Sequence, residues 1–232
     1  NDLHFSPLSR IMQEKLPNVF YNPILYSDCE RYYDDAENDP QVVGTPRRKA
    51  SIVQACPMDE NGYFNFGLHN SSTFTSMTHT EVVIVETNSK LPVCLGGERE
   101  RIHISQVTHV VEGENPDLLE LPTPEPSETD KKIAANIMPY ITDGSCVQLG
   151  IGGVPNAIGL MIADSDLQDL GCHTEMLVDS YVDLWERGKM TGMCKNIDRG
   201  KMAFTFAVGS KRLYDFMHNN PAVASYNVKY IN

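Results

Sequence analysis

Glu175 stands in the stretch LGCHTEMLVDS, residues 170–180, with no lysine or arginine in that stretch and an apolar run just after it. A carboxylate is ionised at neutral pH without an adjacent base, so it can act as a nucleophile without a catalytic triad. What it then needs is an acyl group delivered to it and stabilisation of the oxyanion that forms. The alternative is an ordinary solvated carboxylate at the edge of a strand, which is what most glutamates are. Upstream lies LGIGGVPNAIG, residues 149–159. Its glycines let the backbone approach a ligand, Pro155 suits a first helical turn, and the N–H groups opening the helix attract an anion or a developing oxyanion. The alternative here is a tight strand-to-helix turn that holds nothing.

Two phosphate motifs are excluded at this turn. A Walker A loop ends in Gly-Lys-Ser/Thr, and the stretch has no lysine. A dinucleotide fingerprint would need its third glycine where Pro155 stands.

Other reactive residue types read more simply. His173 could orient Glu175 or protonate a leaving group, and shares its face if the segment is extended, but packing or hydrogen bonding is the simpler role. Cys172 reads as a buried small apolar residue, since nothing nearby lowers its pKa. His103 and His109 are too far apart for an obvious metal pair, and no metal site is expected. Asp179 and Asp183, at helical spacing, are read as solvated or capping carboxylates. Lys211 and Arg212 open a helix against its dipole, which suits either a bound anion or plain surface charge. Tyr63, Phe64 and Phe66 are expected in a core.

The elements that must position these residues alternate regularly in the second half of the chain. Expected there are a helix over 131–140, a strand over 146–149, a helix over 155–162, a strand over 174–178 and a helix over 181–187. A strand over 202–208, a helix over 211–218 and a strand over 225–230 complete it. Such alternation implies βαβ units and a mostly parallel sheet flanked by helices, with ligands at the carboxyl ends of its strands. That rule makes the glycine turn and Glu175 neighbours at one sheet edge. The first half reads as mixed α and β: strands over 50–55, 63–66, 81–87 and 101–111, and a helix over 71–78. Between the halves, LPTPEPSETD at 121–130 carries three prolines and reads as a linker. The expected division is therefore a first domain over 1–121, a linker over 122–130 and a second α/β domain over 131–232.

Bulk composition narrows the partners. At 232 residues and 41% hydrophobic the chain can bury a sizeable core. A net charge of −12 argues against nucleic acid or an anionic membrane as the main partner. Its six cysteines include no CxxC pair, which suits reduced thiols in the cytoplasm. No apolar run approaches the roughly 20 residues of a membrane span, and no signal-peptide pattern opens the chain.

QLGIGGVPNAIG (148–159), DLGCHTEMLVDSYVDLWERGKMTG (169–192) and FAVGSKRLYDFMHNNP (206–221) together resemble the acetyl-CoA hydrolase/transferase family, and within it the butyrate and 4-hydroxybutyrate CoA-transferases. CPMDENGYFNFG (56–67), EVVIVETNSKLP (81–92) and RIHISQVTHVVEG (101–113) are similar to the family's N-terminal domain. The resemblance implies two CoA-transferase-type α/β domains, Glu175 as nucleophile, and Gly152, Gly153, Val154, Pro155 and Asn156 lining the coenzyme A site. It implies a transferase acting on acyl-CoA and short-chain carboxylates, with no permanently bound cofactor, working as a homodimer or higher homo-oligomer. Family members are roughly twice this length, so both ends of the family chain are expected to be missing here. A hydrolase using the same covalent route, or a non-catalytic CoA-binding domain, are the competing readings.

Overall fold

The computed structural model describes residues 7–17, 25–34 and 49–232. The expected start of the first domain at residue 1 lies outside them. Two short helices, α1 (Pro7–Lys15) and α2 (Cys29–Asp34), precede the first strand, with a single 3-10 turn at Tyr26–Asp28 leading into α2.

The first half builds two small sheets. β1 (Ala50–Ala55), β3 (Val82–Thr87) and β5 (His109–Glu112) form a parallel sheet in the order β1-β3-β5, while β2 (Tyr63–Asn65) and β4 (Arg101–His103) pair antiparallel. Alternation within β1 and β3 turns Val53, Ala55, Val83 and Val85 inward. They meet Phe64, Phe66 and Met77, the last from α3 (Thr73–Thr78).

The single strand expected over 101–111 is in fact two strands in different sheets. The His103 ring accepts a hydrogen bond from the Ser105 amide at 3.2 Å, which closes a 3-10 turn at Ile104–Gln106 and redirects the chain. Tyr63 also departs from expectation. It is only half-buried, with the Arg101 guanidinium 4.4 Å above its ring, whereas Phe64 and Phe66 enter the core as expected.

In the second half the parallel sheet has the order β6-β7-β8-β9, from β6 (Cys146–Val147), β7 (Gly171–Leu177), β8 (Met202–Ala207) and β9 (Val223–Ser225). Its helices are α4 (Glu128–Ile137), α5 (Gly153–Asp164), α6 (Asp179–Glu186) and α7 (Lys211–Met217). β8 (MAFTFA) reads as a near-continuous apolar run because both faces of a parallel sheet are covered, whereas His173, Thr174 and Glu175 interrupt the apolar residues of β7. Tyr181 of α6 lies fully in this core, and its phenol oxygen accepts the Leu149 amide at 2.6 Å, fixing the point where the glycine turn begins.

Residues 128–130 of the expected linker are helical. Ser127 and Asp130 make a capping box, each side chain bonded to the other's amide, so the acidic Glu128 and Asp130 open α4 rather than prolong an extended segment. The final strand also ends early. β9 stops at Ser225, and the strand expected over 225–230 gives way to a short helix, α8 (Val228–Ile231), because the Asn227 side chain accepts the Tyr230 amide at 3.0 Å.

Residues 68–71 of the first half dock on the second sheet. His69 bridges antiparallel to Phe206, and this seam buries the His69 ring enough to lower its pKa to about 4. An unfolded histidine binds its proton near ~6.5. Between those values the unfolded chain takes up a proton that the folded chain refuses, so His69 costs stability as pH falls from ~6.5 towards 4. We expect His69→Gln to flatten that part of the stability-versus-pH curve, measured as the wild-type-minus-variant difference in chemical denaturation. Parallel curves would show that His69 does not titrate this way.

Candidate active site

Glu175 lies on β7 and is half-buried, with its Oε2 accepting a hydrogen bond from Asn232 Nδ2 at 2.6 Å. Its neighbours in sequence explain its direction. Cys172 and Thr174 point into the core and are fully buried, so His173 and Glu175 take the opposite face. That face meets α8: His173 Nε2 donates to the Ile231 carbonyl at 3.1 Å, one residue before Asn232. A carbonyl can only accept, so the bond fixes the proton on Nε2. His173 is thus a hydrogen-bonded strand residue, not an exposed base.

Tyr26 approaches from the other half of the chain. Its hydroxyl bonds Ser71 Oγ and its ring meets Phe206 edge-on at 5.9 Å. Burial raises the Tyr26 pKa, and the negative charge of Glu175 adds to that rise.

The glycine turn forms one wall of a cavity of about 420 Å³ at the carboxyl ends of β6, β7 and β8. Gly150, Ile151, Gly152 and Asn156 line it, together with Val178 and Asp179 just beyond β7 and Val208 and Gly209 just beyond β8. Residues 121–124, read from sequence as part of a linker, make the opposite wall. They are tied down by the Leu121 amide to the Gly209 carbonyl at 3.1 Å and by Asn156 Nδ2 to the Pro124 carbonyl at 2.9 Å.

The expected coenzyme-binding residues divide here. Gly152 and Asn156 face the cavity. Gly153, Val154 and Pro155 are not among its lining residues; Val154 packs against the core, and Gly153 lies so close to Asp130 that a methyl there would meet Asp130 Oδ2 at 2.3 Å. Glu175 is not in the lining either, although Val178 and Asp179, just beyond the same strand, are.

The remaining sequence candidates have structural partners. Asp179 accepts the Ser210 amide at 2.9 Å and so supports the start of α7 rather than α6. Arg212 pairs with Asp183 at 2.6 Å and with Glu186, and Lys211 pairs with Asp215 at 2.6 Å, so the anions these two cations meet belong to the chain itself. Burial pushes the Cys172 thiol up, far from a reactive thiolate. Among the described residues no three His, Cys, Asp or Glu side chains gather as a metal site. Asn232 and the 121–124 wall escaped the sequence reading. The three prolines were the available signal for the wall, whereas nothing local marks Asn232.

Residues 20–118 match the model of the acetyl-CoA hydrolase/transferase N-terminal domain. A butyryl-CoA:acetate CoA-transferase of Anaerostipes caccae is 46% identical over 214 residues, 92% of this chain and 46% of that protein. The chain belongs to the acetyl-CoA hydrolase/transferase family. A 4-hydroxybutyrate coenzyme A transferase of Clostridium kluyveri is 37% identical over 182 residues, 78% of this chain and 41% of that one. Among solved structures, the 4-hydroxybutyrate CoA-transferase of Porphyromonas gingivalis superposes with a TM-score of 0.80 at 30% identity, over 95% of this chain and 54% of that one. The chain therefore spans about half the length of the family relatives it matches.

Gly152 sits at φ +120°, ψ 173°, a conformation that is essentially glycine's alone, while a methyl there would make only an ordinary 3.9 Å contact with Pro155 Cδ. Gly152→Ala is therefore a test of backbone strain, expected to cost about 1–3 kcal/mol and to lower Tm by several degrees. Gly150→Ala, with no atom within 4 Å of the added methyl, is the matched control and should leave Tm unchanged or slightly raised. Equal melting temperatures for the two variants would contradict the strain argument.

Proposed function

We propose that this chain carries the nucleophile and part of the coenzyme A site of a CoA-transferase that moves CoA between a short-chain acyl-CoA and a carboxylic acid. The observation that carries the reading is Glu175 on β7, on the strand that leads directly into a cavity walled by the glycine turn. Relatives whose names specify butyryl-CoA with acetate, or 4-hydroxybutyrate, support a short-chain substrate. The cavity walls also suit one, since Leu121, Pro122, Pro124, Ile151, Val178 and Val208 offer apolar contact.

Glu175 attacks the thioester carbonyl of the donor, a C–O bond forms to the acyl carbon, the C–S bond breaks and CoA leaves as thiolate. The thiolate then attacks Cδ of the resulting anhydride, releasing the donor acid and leaving a glutamyl-CoA thioester. An acceptor carboxylate reverses both steps. Exchange between two carboxylic acids is nearly balanced in energy, so the thioester is conserved rather than spent. Binding of the remote CoA moiety positions the reacting atoms, and donors aimed at the developing oxyanion lower the barrier. In this reading Gly152, Gly153, Val154, Pro155 and Asn156 form the turn that receives CoA, with Gly152 and Asn156 exposed to the cavity.

The reading takes CoA as a substrate, with no permanent cofactor, and the protein as a cytoplasmic homo-oligomer, most simply a dimer. No helix among the described residues is long and apolar enough to cross a membrane.

The test is peptide mass spectrometry of the full-length protein after incubation with butyryl-CoA, seeking a CoA adduct on the peptide containing Glu175. We expect an adduct that acetate discharges and buffer does not. Discharge by buffer alone would replace transfer with hydrolysis. Because a misplacement near 1 Å can cost on the order of 100-fold, Glu175→Asp should be severely impaired and Glu175→Gln nearly inactive. Turnover near the wild-type rate in Glu175→Ala would remove the nucleophile assignment.

A further inference from the structure

We propose that residues 122–125 are a strap across the cavity, latched by the side chain of Asn156, and that the strap lifts to admit and release the pantetheine arm of coenzyme A. This rests on the reading of the cavity as part of the coenzyme A site. Leu121, Pro122, Thr123 and Pro124 all line the cavity, yet all four are exposed, so no second layer of side chains buries them. The segment runs from Gly209, just beyond β8, to Asn156 in the helix that follows β6, and so crosses from one side of the cavity to the other.

Both ends of the strap are anchored and its middle is not. Ahead of it, Tyr214 Oη donates to the Leu119 carbonyl at 2.7 Å, the Lys211 amide to Glu120 Oε2 at 2.8 Å, and the Leu121 amide to the Gly209 carbonyl at 3.1 Å. Behind it, Pro126 is buried, and the Ser127 amide donates to Asp130 Oδ2 at 2.9 Å in the capping box of α4. Between these anchors Pro122 and Pro124 have no N–H to give. Among the described residues, the bond from Asn156 Nδ2 to the Pro124 carbonyl, at 2.9 Å, is the one hydrogen bond that residues 122–125 make. One half-buried side chain therefore decides whether the middle lies against α5 or stands off it. Prolines at 122, 124 and 126 keep the backbone extended and stiff, so it swings between its anchors as a unit rather than crumpling into the cavity.

The lining fits what such a strap would cover. It offers no cation and does not include Glu175. An acyl-CoA therefore leaves its phosphates outside, passes its uncharged arm beneath the strap and carries the reacting carbonyl on towards Glu175. Lifting the strap lets that arm be laid in from the side rather than threaded end first. The latch joins two groups of the protein and re-forms once the arm is in place, so it weighs equally on the free and the loaded state. A contact of equal strength in both states cannot change affinity. It sets the rates of entry and exit and leaves their ratio alone.

The experiment follows binding of CoA to the immobilised full-length protein by surface plasmon resonance, in the wild type, Asn156→Ala and Asn156→Leu. Both substitutions remove the donor at a helical position that suits either residue, and Tm checks the fold. Leu keeps the size of Asn while Ala reduces it, so a shared effect is not one of cavity volume. Losing one neutral hydrogen bond raises the open fraction about fivefold, so kon and koff should each rise about fivefold in both variants, with Kd within about twofold of wild type. A weaker Kd through koff alone would make Asn156 a ligand contact and overturn the latch. Rates equal to wild type, or opposite changes in the two variants, would overturn it as well. A wild type that binds no CoA would remove the coenzyme A reading of the cavity, and the strap's role with it, before any variant is compared.

Discussion

The candidate site depends on a seam of backbone hydrogen bonds between the two halves of the chain. The Ala207 amide donates to the Leu68 carbonyl at 2.8 Å, the Asn70 and Ser71 amides both reach the Thr205 carbonyl at 3.0 and 3.1 Å, and Ser225 exchanges bonds with Leu95 and Gly97. β9 ends at Ser225, so the last part of β8 would otherwise leave its amides and carbonyls unpaired. Residues 68–71 fill that gap. In doing so they carry Ser71 to the place where it bonds Tyr26 on one side and α8 on the other. Ser71 adopts φ +48°, an unusual conformation for a serine, and the Thr205 hydroxyl accepts its amide as well. The strain is held in place by bonds from both halves.

Much of this architecture was legible because parallel strands announce themselves. The runs at 82–85 and 202–207 are largely apolar on both faces, and the strands that contain them, β3 and β8, lie close to their expected limits. Periodicity was less informative where a single polar side chain decides the path. His103 capping a 3-10 turn splits an apparently continuous strand, and Asn227 turns the last expected strand into a helix. In each case the capping bond spans two or three residues and overrides the β-propensity of the valines and isoleucines that follow. The prolines at 122 and 124 were a true signal of extended backbone, but composition alone does not reveal what an extended segment packs against.

The site was legible in part for a similar reason. Glu175 and the glycine turn stand out by residue type, and the rule that ligands gather at the carboxyl ends of parallel strands placed them at the same edge. Asn232 has no such mark. It reaches Glu175 across 57 positions of sequence, through a helix that is itself positioned by Ser71, Asp198 and His173. A contact of that kind is a product of tertiary structure, and one chain read alone holds no trace of it.

The charge distribution narrows what the cavity can receive. Its lining includes one charged side chain, Asp179, and no cation, and Asp179 is already committed to the Ser210 amide. The nearest basic pair in sequence, Lys211 and Arg212, is engaged by Asp215, Asp183 and Glu186. Exposed pairs of this kind add little stability, but they lower the local positive potential that a nucleotide phosphate would seek. On the proposed reading, then, the cavity suits the uncharged parts of an acyl-CoA, the pantetheine arm or the acyl chain. The nucleotide phosphates need a different surface. On that same proposed reading, a strongly acidic chain meets the uncharged part of a polyanionic coenzyme with apolar walls and backbone groups, and Glu175, the proposed nucleophile, pairs with no cation among the described residues and accepts a hydrogen bond from a neutral amide.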